Sequence, residues 1–183
     1  CKGVKQMYYP IKVAGLERNL PMCPLNDELM IAGFVIFGDP ELTTACAKEL
    51  LEKAPEYDYI ITAEAKGIPL AHEMSRQSGK KYFVARKKPK LYMTGVFDVI
   101  VNSITTEGEQ HLYLDTAEAE MMKGKKVIIV DDVISTGESL ASIRDLLKKA
   151  GGIEAASCAV LAEGDAADRT DIIFLEKLPL FFK

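Results

Sequence analysis

The sequence predicts an α/β fold in which an open, mostly parallel sheet is flanked by helices. Short apolar runs alternate with amphipathic stretches through the middle and C-terminal parts of the chain, which is the pattern of βαβ units. The runs are apolar at nearly every position rather than at every second one, as expected of strands covered on both faces. With 183 residues the chain has the size of one domain, so we expect a single domain over residues 1–183.

The predicted elements follow from these runs and from the residues between them. Predicted strands cover residues 59–63, 82–85, 127–130, 156–161 and 172–175. Predicted helices cover residues 42–54, 68–78 and 139–150. Asp39-Pro40 precedes the first helix, because Asp caps a helix and Pro is tolerated in its first turn. Gly79 and Gly151-Gly152 follow the other two, where glycine commonly ends a helix.

Two regions depart from this alternation. The first 38 residues contain several Pro and Gly residues and an apolar strip at 29–37, which predicts a small N-terminal subdomain beside a core formed by residues 39–183. Residues 93–114 contain two extended stretches with Glu107-Gly108 between them. This second pattern predicts a β-hairpin that projects from the sheet.

The bulk properties exclude several classes of protein. A net charge of -4 and a pI near 5.3 argue against a general nucleic-acid binder, which carries a basic surface, although one locally basic site can still bind a phosphate. The apolar run at 31–37 is too short to span a bilayer, and the start of the chain lacks the apolar core of a signal peptide. The four cysteines are scattered without a CxxC motif, which predicts reduced core thiols in a cytoplasmic protein.

The strongest chemical signal is the segment 127–139. A buried strand ends in the adjacent acids Asp131 and Asp132, and a turn rich in hydroxyl groups and glycine then opens a helix. Ligands of open α/β sheets bind beyond the carboxyl ends of strands, and a helix N-terminus there presents N–H groups to a phosphate. Since two acids cannot face that phosphate, they are expected to bind sugar hydroxyls or a hydrated cation. A ligand with both a phosphate and a diol satisfies the whole segment.

This segment closely resembles the motif by which type I phosphoribosyltransferases bind 5-phosphoribosyl-1-pyrophosphate (PRPP). The resemblance implies that Asp131 and Asp132, here called the acid pair, hold the ribose 2′- and 3′-hydroxyls and act as catalytic and metal-binding residues toward Mg²⁺. It implies that residues 135–139, here called the phosphate loop, cradle the 5′-phosphate. The complete PRPP-binding set is Val130, Asp131, Asp132, Ser135, Thr136, Gly137, Glu138 and Ser139. Glu138 departs from the family pattern, because many members have Gly there.

Two further segments gain a role from the resemblance. Residues 64–67 form the pyrophosphate loop, with Glu64, Ala65, Lys66 and Gly67 at the leaving group, Lys66 as a catalytic residue, and a non-proline cis peptide expected at Ala65-Lys66. The basic segment, residues 85–91, resembles the Arg-Lys-x-x-Lys-Leu stretch of adenine phosphoribosyltransferases. Its Arg86, Lys87 and Lys90 are expected to meet pyrophosphate charge, across the interface of a homodimer; the alternative is a solvated basic surface.

The remaining candidates rest on position. The hairpin occupies the place of the family's flexible catalytic loop, where Glu107 is a candidate for proton transfer to the base or simply a turn residue. The N-terminal subdomain corresponds to the hood over the base. Phe34 and Glu163 are candidate base contacts, with a core aromatic and a surface acid as the alternatives. His72 and His111 have no sequence partners that indicate catalysis and are predicted to be structural.

The resemblance implies transfer of the phosphoribosyl group from PRPP to a purine base, with adenine favoured by the acid pair and the basic segment. Enzymes of the hypoxanthine-guanine type usually have Glu-Asp in place of the acid pair, which argues against a 6-oxopurine substrate. Lys66 stands where adenine enzymes usually have Arg, and the hairpin lacks their Glu-Tyr-Gly, which leaves xanthine and orotate open. A different class also fits: residues 66–71 and 161–164 resemble the PRPP-sensing domain of purine-operon repressors, which binds PRPP without transferring it.

Overall fold

The computed structural model describes residues 7–101 and 110–183, and it has the predicted α/β architecture. In chain order the elements are β1 (Tyr8–Val13), β2 (Leu16–Pro24), β3 (Leu29–Ala32), α1 (Pro40–Lys53), β4 (Tyr59–Ala63), α2 (Ile68–Ser78), β5 (Tyr82–Ala85), β6 (Val96–Val101), β7 (Gln110–Asp115), α3 (Thr116–Met122), β8 (Lys126–Ile134), α4 (Glu138–Lys149), β9 (Ile153–Glu163), a 3₁₀ helix (Gly164–Asp168), β10 (Ile173–Leu178) and β11 (Phe181–Phe182).

The core is a five-stranded parallel sheet in the order β10-β9-β8-β4-β5. All five predicted strands are present, and β4 and β5 have the predicted bounds. The prediction that the central strand stops at Val130 is wrong, because β8 continues to Ile134. It does so by pairing with β9 beyond Ile129, the last residue of β8 that pairs with β4, so that Asp131 lies opposite Ala159. The acid pair therefore lies within the strand rather than at its end.

The sheet is covered on both faces, which explains its apolar strands. Successive residues of a strand point to opposite faces. Ile128 and Val130 of β8 accordingly pack with α1 and α2, whereas Val127 and Ile129 pack with α4, α3 and β7. Two hydrophobic cores thus fix the sheet between its helices.

The three predicted helices are present, and capping residues mark the start of α1 and the end of α2. Asp39 caps α1 by accepting a hydrogen bond from Leu42 N at 3.0 Å, and Gly79 ends α2 in the left-handed conformation. The short helix α3 was not predicted, although Asp115 and Glu118 form a capping box at its start. No described helix is both long and apolar enough to cross a bilayer.

The N-terminal subdomain is a four-stranded antiparallel sheet in the order β1-β2-β3-β11. Its fourth strand comes from the C-terminal part of the chain, where Phe181 pairs with Met30. The sequence did not predict β11, because two residues carry no strand periodicity. Ile11 and Leu20 of this sheet pack into the same core as α1 and α2, which places the subdomain directly on the core.

The hairpin is present as the antiparallel pair β6 and β7, in which Val96 lies opposite Asp115. Its expected turn, with the candidate Glu107, lies outside the described residues. The expectation of buried thiols holds for Cys46 and Cys158 but is wrong for Cys23, which is exposed. Cys23 is exposed because it lies near the end of β2 in the antiparallel sheet, away from the core.

Candidate active site

A cleft of about 770 Å³ lies at the carboxyl ends of β4 and β8, beside β7. Seven residues expected from the sequence line this cleft: Glu64, Ala65, Lys66, Lys87, Asp131, Asp132 and Ser139. They come from the pyrophosphate loop, the basic segment, the acid pair and the phosphate loop. The cleft is where these four separate segments of the chain meet, as the carboxyl ends of adjacent parallel strands do.

The acid pair is partly compensated by one lysine. Asp132 is 2% exposed, and its Oδ2 lies 3.2 Å from Lys66 Nζ, which reaches it from the pyrophosphate loop. Oδ2 nevertheless makes no hydrogen bond within the described residues, since the Lys66 contact lacks hydrogen-bond geometry. A buried carboxylate oxygen without a hydrogen bond is costly, so this atom is available to a ligand.

Asp131 has an altered acidity. Burial and then the negative charge of Asp132 raise the pKa of the Asp131 carboxyl to about 7, while the charge of Lys66 acts in the opposite direction. Asp131 Oδ1 accepts a hydrogen bond from Asp132 N at 2.8 Å, which fixes the side chain beside the backbone of its neighbour. The site therefore holds two acids whose charge exceeds what the nearby protein groups neutralise.

Close packing at Gly67 joins the pyrophosphate loop to β8. A Cβ atom at this position would lie 2.3 Å from Thr62 Oγ1 and 3.3 Å from both Cα and Oδ1 of Asp131. Only glycine lets the loop approach the acid pair so closely. The cis peptide expected at Ala65-Lys66 is found instead at Glu64-Ala65, the first two residues after β4.

The basic segment divides into two parts. Arg86 Nη2 and Lys90 Nζ lie 3.3 Å and 4.0 Å from Glu64 Oε1, and neither residue lines the cleft. The hydrogen bond from Lys87 N to Glu64 Oε2, together with the charges of Arg86 and Lys90, holds the pKa of the Glu64 carboxyl below its usual value. Glu64 thus anchors the basic segment, which leaves Lys87 and Lys88 facing the cleft.

The phosphate loop has the form expected of an anion site. Gly137 precedes α4 with φ +84° and offers no side-chain cap, and Thr136 Oγ1 accepts only a long hydrogen bond, 3.5 Å, from Glu138 N. Its first-turn N–H groups therefore face the loop, where a helix N-terminus favours an anion. The hydroxyl side chains of this loop are exposed: Ser135, Thr136 and Ser139. Of these, Ser139 lines the cleft. Val130 differs, because it is fully buried beneath the acid pair.

Several cleft residues were missed from the sequence. They are Ala63, Lys88, His111, Leu112, Tyr113, Val133 and Ser142. The hairpin supplies three of them, because β7 passes beside β5 through a bridge between Arg86 and Tyr113. His111 was predicted to lack a suggestive partner, but its Nδ1 lies 3.2 Å from Asp98 Oδ2 and its ring stacks on Tyr113. The sequence could have indicated this contact, because pairing of the two strands of the predicted hairpin brings His111 close to Asp98.

The two residues proposed as base contacts do not reach the cleft. Phe34 is 4% exposed and packs in the core shared by α1 and α2. It is therefore a core aromatic, which was the alternative prediction for this residue. Glu163 ends β9 and is only partly buried, and it does not line the cleft. The identity of the base contacts is therefore not given by either residue.

The acid pair fits a magnesium ion that arrives with a phosphorylated ligand. Among residues 7–101 and 110–183 no three His, Cys, Asp or Glu side chains are grouped to hold a metal ion. Mg²⁺ prefers oxygen ligands, keeps several waters and is usually bound through one or two carboxylates plus substrate phosphates. Two adjacent carboxylates, one with an oxygen free of hydrogen bonds, meet that requirement without a third protein ligand.

Comparison with known proteins gives a consistent family. The family model of the phosphoribosyl transferase domain matches residues 41–178. The hypoxanthine/guanine phosphoribosyltransferase of Methanococcus voltae is 33% identical over 153 residues, which cover 84% of this chain and 75% of that protein. The adenine phosphoribosyltransferase of Thermotoga sp. strain RQ2 is 37% identical over 108 residues, covering 59% of this chain and 60% of that protein.

Solved structures show the same fold. The adenine phosphoribosyltransferase of Thermoanaerobacter pseudethanolicus has a TM-score of 0.65 at 21% identity, covering 93% of this chain and 95% of that one. The enzyme of Saccharomyces cerevisiae, in complex with an imino-altritol bisphosphate and adenine, has a TM-score of 0.69 at 22% identity, covering 86% and 93%. At 21% and 22% sequence identity, these two comparisons show the fold alone.

Proposed function

This chain belongs to the phosphoribosyltransferase family, whose purine members are pentosyltransferases, and we propose that it transfers the phosphoribosyl group of PRPP to a purine base with release of pyrophosphate. The observation that carries the proposal is the meeting of the acid pair, the phosphate loop and three lysines around one cleft. A ligand with a ribose diol, a 5′-phosphate and a pyrophosphate has a partner in the cleft for each of its groups.

The proposed roles follow from charge. Breaking the bond from C1 to pyrophosphate leaves positive charge on the ribose and negative charge on the leaving group. Lys66, Lys87 and Lys88 face the cleft and stabilise the departing pyrophosphate electrostatically. Bound Mg²⁺ would be held by the acid pair and would neutralise further pyrophosphate charge.

The acid pair orients the sugar. Each carboxylate accepts hydrogen bonds from a ribose hydroxyl, and such charge-assisted bonds are stronger than neutral ones. The phosphate loop holds the other end of the sugar by its 5′-phosphate, so that C1 is presented at a defined place beside the pyrophosphate loop. Positioning of this kind contributes to the rate because the reaction partners are already aligned.

For the base we propose adenine. The acid pair and the basic segment, with Lys87 and Lys88 in the cleft, are the features that favour it. A second candidate is a 6-oxopurine, hypoxanthine or guanine. It is favoured by the long alignment with the Methanococcus voltae protein, which extends over 84% of the chain.

The predicted homodimer is a separate proposal, and light scattering coupled to size-exclusion chromatography tests it.

The test combines a product assay with a binding assay. The protein is incubated with PRPP, Mg²⁺ and, separately, adenine, hypoxanthine, guanine, xanthine or orotate, and nucleotide is measured by chromatography. We expect AMP to form fastest. Faster formation of IMP or GMP would instead establish the 6-oxopurine candidate. Binding of PRPP without product from any base would overturn transfer and leave a PRPP sensor.

The binding assay uses Asp132→Asn with a matched surface control. Loss of a charge-assisted bond should weaken PRPP binding by roughly 10-fold or more, measured by calorimetry. The control is Asp145→Asn, an exposed aspartate of α4, which should bind PRPP as the wild type does. Equal affinity of both variants would refute the role of Asp132.

A further inference from the structure

A cationic side chain from the segment that follows β9 lies against the phosphate loop. A Cβ atom built on Gly137 would lie 2.5 Å from Arg169 Nη1. Because a carbon–carbon single bond is about 1.5 Å long, Nη1 is within roughly 4 Å of Gly137 Cα. Arg169 follows the 3₁₀ helix after β9, over thirty positions further along the chain, so only the fold brings the two together.

Arg169 is held in place by a carboxylate that also binds α4. Its Nε and Nη2 donate to Asp171 at 2.9 and 2.8 Å, a two-point pairing that fixes the plane of the guanidinium. Arg144 of α4 donates to Asp171 Oδ2 at 2.8 Å, and the two arginines hold the pKa of the Asp171 carboxyl well below its usual value. Asp171 therefore links Arg169 to the helix that begins at the phosphate loop.

The pairing leaves one end of the guanidinium for another partner. A guanidinium has five N–H donors, two of them on each Nη atom. Asp171 engages Nε and Nη2, and within the described residues Nη1 makes no hydrogen bond. The Arg169 side chain is 28% exposed, so Nη1 can reach a ligand without a change in the Asp171 pairing.

A phosphate bound at the phosphate loop requires a positive charge nearby. Glu138, the first residue of α4, is itself part of this loop, and its carboxylate repels a bound phosphate. Lys66, Lys87 and Lys88 line the cleft but do not belong to this loop. Arg169 is the cationic side chain that the described contacts place against Gly137.

We propose that Arg169 binds the phosphate monoester of the sugar phosphate, donating from Nη1 to a phosphate oxygen held by the phosphate loop, with Asp171 as its positioning residue. The proposal rests on the proposed function and deepens it, because it assigns a phosphate-specific residue to the sugar end of the substrate. It also gives a reason for glycine at position 137 beyond its positive φ, since a side chain there would displace Arg169.

The test separates the two phosphate sites by using two small ligands. Ribose 5-phosphate and pyrophosphate are titrated separately into the wild type, Arg169→Gln, Arg169→Lys and Arg76→Gln. We expect Arg169→Gln to weaken ribose 5-phosphate about 10-fold while pyrophosphate changes less than about twofold. Arg169→Lys keeps the charge but not the two-point pairing, so an intermediate loss is expected.

The control variant removes an arginine of the same kind elsewhere. Arg76 is 62% exposed and pairs with Glu73 within α2, so Arg76→Gln should bind both ligands normally. In turnover, Arg169→Gln should raise the KM for PRPP and leave the KM for the base unchanged.

Three outcomes contradict the proposal. Unchanged ribose 5-phosphate binding in Arg169→Gln would overturn it. Equal weakening of ribose 5-phosphate and pyrophosphate would also overturn it, since that result indicates a general disturbance of the fold. If Arg169→Gln does not fold, Arg169→Lys carries the same comparison. A wild-type protein that binds neither ribose 5-phosphate nor PRPP would overturn the proposed function itself, and this inference with it.

Discussion

At the scale of single residues, the Asp131 carboxyl binds its proton more tightly in the folded protein than it does in the unfolded chain. Its pKa is raised from 3.8 to about 7 by burial and by the charge of Asp132. Between these values the folded state holds more protons than the unfolded state, so stability falls as pH rises. The contribution is fully present below pH 3.8 and is lost as pH rises through about 7. Such unfavourable burial of charge is common where a site awaits a charged ligand.

Asp131→Asn is therefore expected to stabilise the ligand-free protein at pH 8 while abolishing its use of PRPP. We expect an increase of roughly 1 to 3 kcal/mol in the free energy of unfolding at pH 8 and little change at pH 4. Urea denaturation of wild type and variant across this pH range measures the difference. Asp145→Asn serves as the control and should follow the wild-type curve. A stability difference that does not grow between pH 4 and pH 8 would contradict the assignment.

At the scale of elements, Asp39 connects the N-terminal subdomain to the core. It caps α1 through Leu42 N, and it accepts hydrogen bonds from Arg18 Nε and Nη2 at 2.7 and 3.1 Å. Arg18 lies on β2, so one carboxylate joins a strand of the antiparallel sheet to the first helix of the core. The Arg18 hydrogen bonds hold the pKa of the Asp39 carboxyl below its usual value.

Asp39→Ala is expected to lower the free energy of unfolding by about 1 to 2 kcal/mol, because it removes both the helix cap and the Arg18 pairing. Glu41→Ala is the matched control. Glu41 also pairs with Arg18, at 2.8 Å, but it is 69% exposed and does not cap the helix. An exposed pair contributes little, so a loss below about 0.5 kcal/mol is expected. Equal losses, measured by chemical denaturation at neutral pH, would show that the cap is unimportant.

At the scale of the whole molecule, two distant parts of the chain complete the N-terminal sheet. Strand β11 pairs with β3, and the Phe181 ring meets the Tyr9 ring edge-on at a centroid distance of 5.0 Å. Phe181 also packs against the core shared by α1 and α2. The antiparallel sheet, the C-terminal strand and the parallel core are therefore coupled through one aromatic side chain.

Phe181→Ala is expected to destabilise the protein by about 1 to 3 kcal/mol, because it removes partly buried aromatic area and an aromatic pair. Phe182→Ala provides the comparison, since Phe182 is 76% exposed and its truncation should have little effect. Hydrogen exchange of the β3 amides should accelerate in Phe181→Ala and not in Phe182→Ala. Similar exchange in both variants would exclude coupling through Phe181.

Features that are contiguous in the chain were predictable from the sequence. Apolar runs predicted the five parallel strands, and helix caps and glycines predicted α1, α2 and α4, because local hydrogen bonding and periodicity encode such elements. The acid pair and the phosphate loop both lie within residues 131–139, so the sequence alone predicted one ligand for both. Helix α3 was also predictable, since Asp115 and Glu118 have the spacing of a capping box, but it was not among the predicted helices.

Which of these stretches meet depends on the packing of the whole chain. The order of strands placed the pyrophosphate loop beside the acid pair, and it extended β8 past Val130 by pairing it with β9. It also brought the hairpin to the cleft and Arg169 against Gly137, joined β11 to β3, and buried Phe34 in the core. The physical reason is that contacts between distant segments depend on how whole surfaces pack, and no local pattern of residues specifies that packing.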